Sequence, residues 1–280
     1  MEKTINSVKN FWENNPLFTG ESNFETGSKE FFEEHRKVYF EDVFANDFKE
    51  EEFIPQKLEN EVVLDLGCGI GFWTIEIQKR RNCKKFYSAD LTQNALNITS
   101  KRLNMYNLDS ELSIQNAEDM DFENNIFDHV NCQGVIHHTP NTAKTIEEIA
   151  RVLKSSGTAC ISVYYKNFLL RNWNKFSIIG KALNKLGGGM KGRGRESIFA
   201  ESNPDEITRL YDGTENPIGK SYSKKELLEM FSPYFDFIST SCFLFPARSL
   251  PVKIPKFLHK FLSNNFGFMI HLQLKKKPNN

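Results

Sequence analysis

Cysteines are few in this sequence, and long apolar runs are missing. Its 280 residues include five cysteines, an odd number, and no two of them stand in Cys-x-x-Cys spacing. This argues against a disulfide framework and against a zinc site. No window approaches the roughly 18 apolar residues of a membrane-spanning helix, and the N-terminal MEKTINSVKNFWENN lacks the apolar core of a signal peptide. We therefore expect a cytoplasmic protein with reduced thiols, no bound metal and no membrane span.

The sequence also carries no net charge. Lys and Arg together number 36, as do Asp and Glu, and a neutral chain is not typical of proteins that bind a phosphate backbone. We therefore expect no nucleic-acid partner. Phenylalanine, in contrast, is abundant, with 25 residues. A surplus of aromatic rings beyond the core suits a pocket for a flat or apolar molecule.

Short apolar runs alternate with helix-like segments in the middle of the chain. Runs that break at glycine or at an acid are typical of buried strands, and apolar residues spaced by three and four are typical of helices. These patterns predict strands at 62–66, 85–89, 112–114, 127–136 and 158–165, and helices at 72–79, 92–103 and 142–153. Such alternation indicates βαβ units and a parallel sheet.

The flanking segments have other patterns. Residues 29–48 have near-helical apolar spacing, residues 187–195 are rich in glycine and basic side chains, and two more strands are predicted at 235–243 and 266–274. A connection as long as 166–233 predicts a lid rather than a simple loop. We therefore expect an N-terminal helical arm, a ligand-binding core, a lid insertion in the substrate region and C-terminal strands that complete the sheet, at residues 1–58, 59–165, 166–233 and 234–280.

A glycine-rich loop, Asp65-Leu66-Gly67-Cys68-Gly69-Ile70-Gly71, lies between the first predicted strand and the first predicted helix. Glycines at such a turn let the backbone approach a ligand closely. A dinucleotide fingerprint would need its third glycine at position 72, which is Phe72. No Lys-Ser or Lys-Thr follows the loop, which excludes a nucleoside-triphosphate P-loop. The loop therefore fits a ligand without phosphate, such as an adenosyl amino acid.

Asp90 closes the second predicted strand. An acid at this position can accept hydrogen bonds from both hydroxyls of a ribose, and charge-assisted bonds of this kind contribute roughly 1.5–3 kcal/mol each. The alternative is that Asp90 only caps the helix that begins near Thr92. The order of strand, glycine loop, helix, strand and acid favours ligand binding.

Together these motifs resemble a known family. The segments VVLDLGCGIG, ADLTQNAL, NAEDMDF, FDHVNCQGVIHHTP and EEIARVLKSSGTACISVYY are similar to the class I S-adenosylmethionine-dependent methyltransferases, in particular the small-molecule branch with a type 11 methyltransferase domain. The resemblance spans roughly residues 60–165. It implies S-adenosylmethionine as the cofactor. It also implies an α/β, Rossmann-like, mainly parallel seven-stranded sheet with helices on both faces and an antiparallel last strand.

The resemblance also implies which residues contact the cofactor. The glycine loop would pass beneath the methionine part, Asp65 would orient that loop, and Asp90 would hold the ribose. The loop after the third strand would meet the adenine, and the end of the fourth strand would meet the methionine end. The residues so assigned are Asp65, Gly67, Cys68, Gly69, Gly71, Asp90, Leu91, Asn116, Ala117, Glu118, Gln133 and Gly134.

His137 and His138 follow the fourth strand, where the acceptor should lie. An imidazole can serve as the base if the acceptor must lose a proton. Adjacent residues point in different directions, so at most one reaches the acceptor, and the resemblance favours His138. The alternative is that His138 only packs against a helix. The expected acceptor contacts come from the arm and the lid: Trp12, Tyr39, Tyr165 and Arg171, with Arg193 and Arg195 available for an anionic group.

The sequence therefore predicts methyl transfer to a small-molecule acceptor and leaves O-, N- and C-methylation and the oligomeric state open. No Asp-Pro-Pro-Tyr or Asn-Pro-Pro-Tyr follows the fourth strand, and no Pro-Cys pair is present, which disfavours methylation of DNA bases. Two alternatives remain open: a non-catalytic S-adenosylmethionine-binding regulatory protein, and a methyltransferase that acts on RNA or protein.

Overall fold

The computed structural model describes residues 3–185, 198 and 201–278, without the side chains of residues 183–185 and 249. Within these ranges, strands β1–β8 cover Val62–Leu66, Lys85–Asp90, Glu111–Ile114, Phe127–Gln133, Leu153–Tyr165, Ser221–Tyr222, Phe235–Phe243 and Met269–Lys276. Helices α1–α11 cover Ile5–Asn14, Lys29–Val38, Glu50–Phe53, Phe72–Gln78, Gln93–Tyr106, Thr142–Val152, Phe168–Arg171, Trp173–Lys185, Pro204–Tyr211, Lys224–Phe231 and Lys256–Phe266.

The described strands form one sheet in the order β3-β2-β1-β4-β5-β8-β7. Strands β1 to β5 pair in parallel, and β8 runs antiparallel to both β5 and β7. The mainly parallel sheet with an antiparallel last strand is confirmed. An eighth, two-residue strand adds to the seven, because Ser221 and Tyr222 pair with Tyr164 and Tyr165 at the end of β5. The strand order reverses between β1 and β4, the point at which open α/β sheets bind ligands.

Alternating side chains of β1 supply two cores, one on each face of the sheet. Leu64 and Leu66 pack into a cluster with Ile146 and Ile149 of α6. Val63 packs into a second cluster that includes Trp73 of α4. This second core is mostly aromatic and takes up much of the phenylalanine excess, including Phe44, Phe53, Phe72, Phe86 and Phe243.

The N-terminal arm differs from the single helix predicted at 29–48. Helix α2 ends at Val38, and the chain continues as a π-helical turn over Tyr39–Val43. The ring centroids of Tyr39 and Phe40 lie 4.0 and 6.0 Å from that of Phe72, which begins α4. The turn therefore directs these aromatic rings onto the helix that follows the glycine loop.

Helix α1 lies in the predicted N-terminal helical arm, although no helix with bounds is predicted at this place. Thr4 caps it by accepting a hydrogen bond from the Ser7 N–H. Its other end is attached to α5, because the Glu13 carboxylate accepts hydrogen bonds from the backbone N–H groups of Gln93 and Asn94 at 2.9 and 3.1 Å. These N–H groups have no partner within their own helix. Glu13 thus fixes α1 beside the carboxyl edge of the sheet.

Two further predictions concern the insertion and the membrane. The glycine-rich segment 187–195, with Arg193 and Arg195, lies outside the described residues. Within the described ranges, no helix is long and apolar enough to cross a bilayer.

Candidate active site

The glycine loop is shaped by positive φ angles. Gly67 has φ +72°, and a Cβ there would overlap Val135. Gly69 has φ +55°, and no atom lies within 4 Å of the position that its Cβ would take. Gly67 is therefore required by packing, whereas Gly69 faces open space that a ligand can fill.

Asp90 holds the loop from the end of β2. Its Oδ2 accepts a hydrogen bond from the Gly69 N–H at 2.9 Å. Its Oδ1 accepts from the N–H and the hydroxyl of Thr92 at 3.0 and 2.8 Å. Burial raises the pKa of the Asp90 carboxyl, and these hydrogen bonds oppose the rise. Oδ1 is filled by its two contacts with Thr92, whereas Oδ2 keeps one acceptor position beyond Gly69, so the contacts with Thr92 and one ribose contact are compatible.

A cavity opens above the loop, and we call it the glycine-loop cavity. It contains about 860 Å³ of empty space, open solvent at its mouth included. Helix α1 covers one side through Ile5, Val8 and Trp12, and Gln115 contributes to the floor. Of the residues predicted to contact the cofactor, those that line this cavity are Gly67, Gly69, Asp90, Leu91, Asn116, Ala117, Gln133 and Gly134.

The remaining predicted cofactor residues lie behind the wall. Cys68 is buried, and its backbone N–H donates to the Ala89 carbonyl oxygen at 3.0 Å. Gly71 is the left-handed N-cap of α4. Glu118 turns away, and its carboxylate accepts a hydrogen bond from the backbone N–H of Asn141. These residues shape the loops without lining the cavity.

Asp65 is fully buried beneath the loop. Its Oδ2 accepts from the Thr74 hydroxyl at 2.6 Å, and its Oδ1 accepts from the Asn131 amide at 2.8 Å. Asn131 in turn accepts from the Gln133 amide at 3.1 Å. Burial raises the pKa of Asp65 to about 6, against the lowering effect of these hydrogen bonds. The network ties the first turn of α4 to the ends of β1 and β4.

A second cavity of about 940 Å³, open solvent included, adjoins the first and is called the histidine cavity. His137, His138, Tyr39, Tyr164 and Asp212 line it. The two cavities share five lining residues, which are Trp12, Leu17, Gln133, Gly134 and His138. A molecule in one cavity is therefore adjacent to a molecule in the other.

His138 is oriented by contacts on both ring nitrogens. Its Nδ1 lies 2.7 Å from the Ile218 carbonyl oxygen, which can only accept, so the neutral ring carries its lone pair on Nε2. Nε2 lies 3.5 Å from Asp212 Oδ2, which also accepts from the Tyr164 hydroxyl at 2.7 Å. The Trp12 ring meets His138 edge-on at 5.1 Å between centroids. This arrangement suits a base whose protonated form is stabilised by a carboxylate.

Asp212 is absent from the sequence prediction. It follows α9 inside the insertion, 74 positions along the chain from His138, and no local spacing connects the two residues. The only sequence signal is the Tyr211-Asp212-Gly213 turn. The structure brings Asp212 to His138 because the segment after α9 returns along the sheet edge, where Lys220 Nζ donates to the carbonyl oxygens of Thr139 and Pro140, each at 2.8 Å.

His137 lies in a less polar setting than His138. Its ring centroid lies 4.2 Å from that of Tyr164, with the two rings tilted by 45°, and its Nδ1 has no hydrogen-bond partner among the described residues. Burial, with smaller contributions from His138 and Lys220, lowers the pKa of His137 well below its ordinary value. The ring therefore stays neutral and serves as an apolar wall.

The predicted acceptor contacts divide into two groups. Trp12 and Tyr39 line the histidine cavity. Tyr165 does not, because side chains alternate along β5 and its ring packs against the core on the other face. Arg171 is exposed at the end of α7 and does not line either cavity. Burial raises the pKa of Tyr39 to about 12, so its hydroxyl stays protonated at neutral pH.

Comparison with known proteins identifies the fold and the domain. Residues 64–161 match the model of a family described as a methyltransferase domain. An uncharacterized protein of Methanocaldococcus jannaschii is 31% identical over 144 residues, 49% of this chain and 58% of that protein. The ubiquinone biosynthesis O-methyltransferase of Hydrogenovibrio crunogenus is 30% identical over 129 residues, 42% of this chain and 51% of that enzyme. The chain thus spans little more than half the length of these two relatives.

Solved structures show the same fold at lower identity. The S-adenosylmethionine-dependent methyltransferase of Methanosarcina mazei superposes with a TM-score of 0.53 and 19% identity over 79% of this chain and 94% of that chain. A chain from the complex of the Haloferax volcanii Trm112 methyltransferase activator with a methyltransferase superposes with a TM-score of 0.57 and 14% identity. This superposition covers 90% of the present chain and 96% of that chain. S-adenosylmethionine is the cofactor that this family and fold use. Residues 64–161 therefore match a methyltransferase domain, and the described sheet has the fold of a solved S-adenosylmethionine-dependent methyltransferase.

Proposed function

We propose that this protein transfers a methyl group from S-adenosylmethionine to a small-molecule acceptor, with the cofactor in the glycine-loop cavity and the acceptor in the histidine cavity. The observation that carries the proposal is the position of His138, which lines both cavities and holds its Nε2 3.5 Å from Asp212 Oδ2. The base therefore lies where the two reactants would meet.

The residues of the glycine-loop cavity fit an adenosyl amino acid. Asp90 offers one acceptor position for a ribose, Leu91 and Ala117 offer an apolar slot for a flat ring, and the open space at Gly69 admits a ligand against the backbone. When bound, the cofactor supplies a methyl group activated by a positively charged sulfur. The chain positions this cofactor and excludes water, which is most of what such a displacement requires.

His138 and Asp212 would manage the proton. For a hydroxyl or amine acceptor, His138 Nε2 takes the proton that the acceptor loses, while Nδ1–H stays bonded to the Ile218 carbonyl. Asp212 then stabilises the imidazolium at 3.5 Å. The relative from Hydrogenovibrio crunogenus is an O-methyltransferase of ubiquinone biosynthesis, and this supports a small-molecule substrate for the present chain.

The test is transfer of a tritiated methyl group from S-adenosylmethionine into the small-molecule fraction of a cell extract. His138→Ala should lower turnover by about 10²–10⁴-fold with unchanged affinity for S-adenosylhomocysteine. His137→Ala, which removes the neighbouring imidazole, is the control and should stay within about tenfold of wild type. Label in RNA or protein instead would favour the macromolecular alternative, and cofactor binding without any transfer would favour a regulatory protein.

A further inference from the structure

A third cavity lies beside the histidine cavity, between the insertion and the C-terminal strands; we call it the apolar cavity. It contains about 1050 Å³ of empty space, open solvent included. Leu170, Ile207, Phe245, Phe266 and Phe268 are among the side chains that line it, and none of its described lining residues is charged. This volume is typical of a small-molecule site.

Two polar side chains in this wall donate their hydrogen bonds to backbone carbonyl groups. The Asn167 amide donates to the carbonyl oxygens of Phe266 and Gly267 at 2.7 and 2.9 Å. The Trp173 indole N–H donates to the Ile198 carbonyl oxygen at 3.1 Å. The surface that remains toward the space is apolar, so an occupant would be held by burial of hydrocarbon rather than by hydrogen bonds.

The apolar cavity and the histidine cavity meet at an aromatic residue. Tyr211 lines both of them. Its ring centroid lies 5.0 Å from that of Phe268, and Phe268 lies 4.8 Å from Tyr164, whose hydroxyl binds Asp212. Hydrocarbon in the apolar cavity is thus one ring away from the proposed base.

Apolar side chains are exposed around the apolar cavity. Ile179 lines the cavity and is 55% exposed, and Phe257, on the helix whose last residue lines it, is 76% exposed. Exposed apolar surface of this kind marks ligand-binding grooves and membrane contacts.

We propose that the acceptor is a lipid-like molecule whose polar, reactive head lies in the histidine cavity and whose apolar chain lies in the apolar cavity. This rests on the proposed function, which it narrows to acceptors with a chain. Both a straight alkyl chain and a branched prenyl chain have the required chemistry, so the experiment compares the two.

The experiment titrates the full chain, saturated with S-adenosylhomocysteine, with straight-chain alcohols from hexan-1-ol to dodecan-1-ol and with farnesol, which has a twelve-carbon branched backbone. Affinity should rise about three- to fourfold per methylene until the cavity is filled, and a clear advantage of farnesol over dodecan-1-ol would assign a prenyl chain. Ile179→Glu should weaken binding of the best alcohol at least about tenfold.

The matched control is Ile178→Glu, because Ile178 is the preceding residue of α8, is 68% exposed and does not line the cavity. It should leave alcohol binding unchanged. Leu169→Trp, which narrows the cavity without adding charge, should weaken the longest alcohols most. Affinity independent of chain length, or equal effects of the two glutamate variants, would overturn the inference. Failure of S-adenosylhomocysteine to bind the wild type would instead refute the proposed function, while the alcohol titrations would still report on the cavity.

Discussion

At the scale of single residues, Asp90 combines two tasks. Its carboxylate holds the Gly69 N–H and the start of α5, and it also faces the glycine-loop cavity. Asp90→Asn keeps one oxygen for the helix cap but loses the charge and an acceptor. We expect the affinity for S-adenosylhomocysteine to fall about 10- to 100-fold, a loss of roughly 1.5–3 kcal/mol, as measured by calorimetry.

Glu118→Gln is the control for this measurement. The Glu118 carboxylate accepts a hydrogen bond from the Asn141 N–H outside the cavity, so the affinity of the variant for S-adenosylhomocysteine should stay at the wild-type value. Equal losses in both variants would contradict the geometry and restore Glu118 to the adenine contact that the family resemblance implies.

Asp65 makes the stability of the fold depend on pH. Burial raises its pKa from 3.8 to about 6, so the folded chain binds this proton more tightly than the unfolded chain. The resulting stabilisation is complete below pH 4 and is lost as the pH rises to about 6, by up to about 3 kcal/mol. Asp65→Asn should remove this pH dependence, because asparagine does not titrate in this range. The variant should still fold, since the new amide can donate to the Thr74 hydroxyl, which can in turn donate to the Ser88 hydroxyl 3.0 Å away. Urea unfolding of both proteins between pH 4 and pH 7 measures the difference, and parallel curves would contradict the prediction.

At the scale of elements, helix α1 forms a cover over the glycine-loop cavity, to which Ile5, Val8 and Trp12 contribute. Glu13 attaches its end to α5 through two backbone N–H groups. Glu13→Ala should loosen this attachment and speed the release of S-adenosylhomocysteine by about tenfold or more, since each lost hydrogen bond to a charged group costs about 1.5 kcal/mol or more. Stopped-flow release rates test this.

Lys9→Ala is the matched change on the same helix, because its side chain is not among those that line either cavity. It should release the product at the wild-type rate. If Glu13→Ala also behaves like wild type, α1 does not control the exit of the product.

The elements differ in how far the sequence predicts them. Strands β1 to β5 can be predicted from apolar runs that end at glycine or an acid, because a strand buried in the sheet is apolar and the chain leaves the core where the run ends. Strand β6 has only two residues and exists because Ser221 and Tyr222 meet β5, a contact that no local pattern encodes. Helix α1 carries a signal that the prediction passed over, with Ile5, Val8 and Trp12 at helical spacing behind the Thr4 cap.

The site was predictable to the extent that it is local. Gly69 and Asp90 belong to one βαβ unit whose spacing fixes their positions, whereas Asp212 reaches His138 only through the return of the insertion. Tyr165 was placed in the acceptor pocket although Tyr164 points there, because a sequence pattern does not tell which of two adjacent strand residues faces the site. The division into four segments, and the roles of the lid and of Arg171, stay predictions.

At the scale of the whole molecule, cofactor binding should stabilise the fold. S-adenosylhomocysteine at 100 times its Kd should add about 2.7 kcal/mol to the free energy of unfolding and raise the melting temperature by about 5–10 °C. NAD should give no shift, because Phe72 replaces the third glycine of a dinucleotide loop. Gly69→Ala should have a somewhat lower melting temperature, because alanine is less stable than glycine in the left-handed backbone conformation of this position. Its melting temperature should not change when S-adenosylhomocysteine is added. An equal shift with NAD would contradict the assignment.

The wall shared by the glycine-loop and histidine cavities has a consequence for inhibitor design. Because Trp12, Gln133 and His138 belong to both spaces, a single compound can occupy them without crossing a protein barrier. Joining an adenosyl group to an acceptor-like head would turn the second binding event into an intramolecular one, with a gain of up to about 10²–10⁴ in affinity over either part. The adenosyl half would be recognised by many enzymes of this fold, so selectivity for this one would have to come from the half that lies against His138 and Asp212.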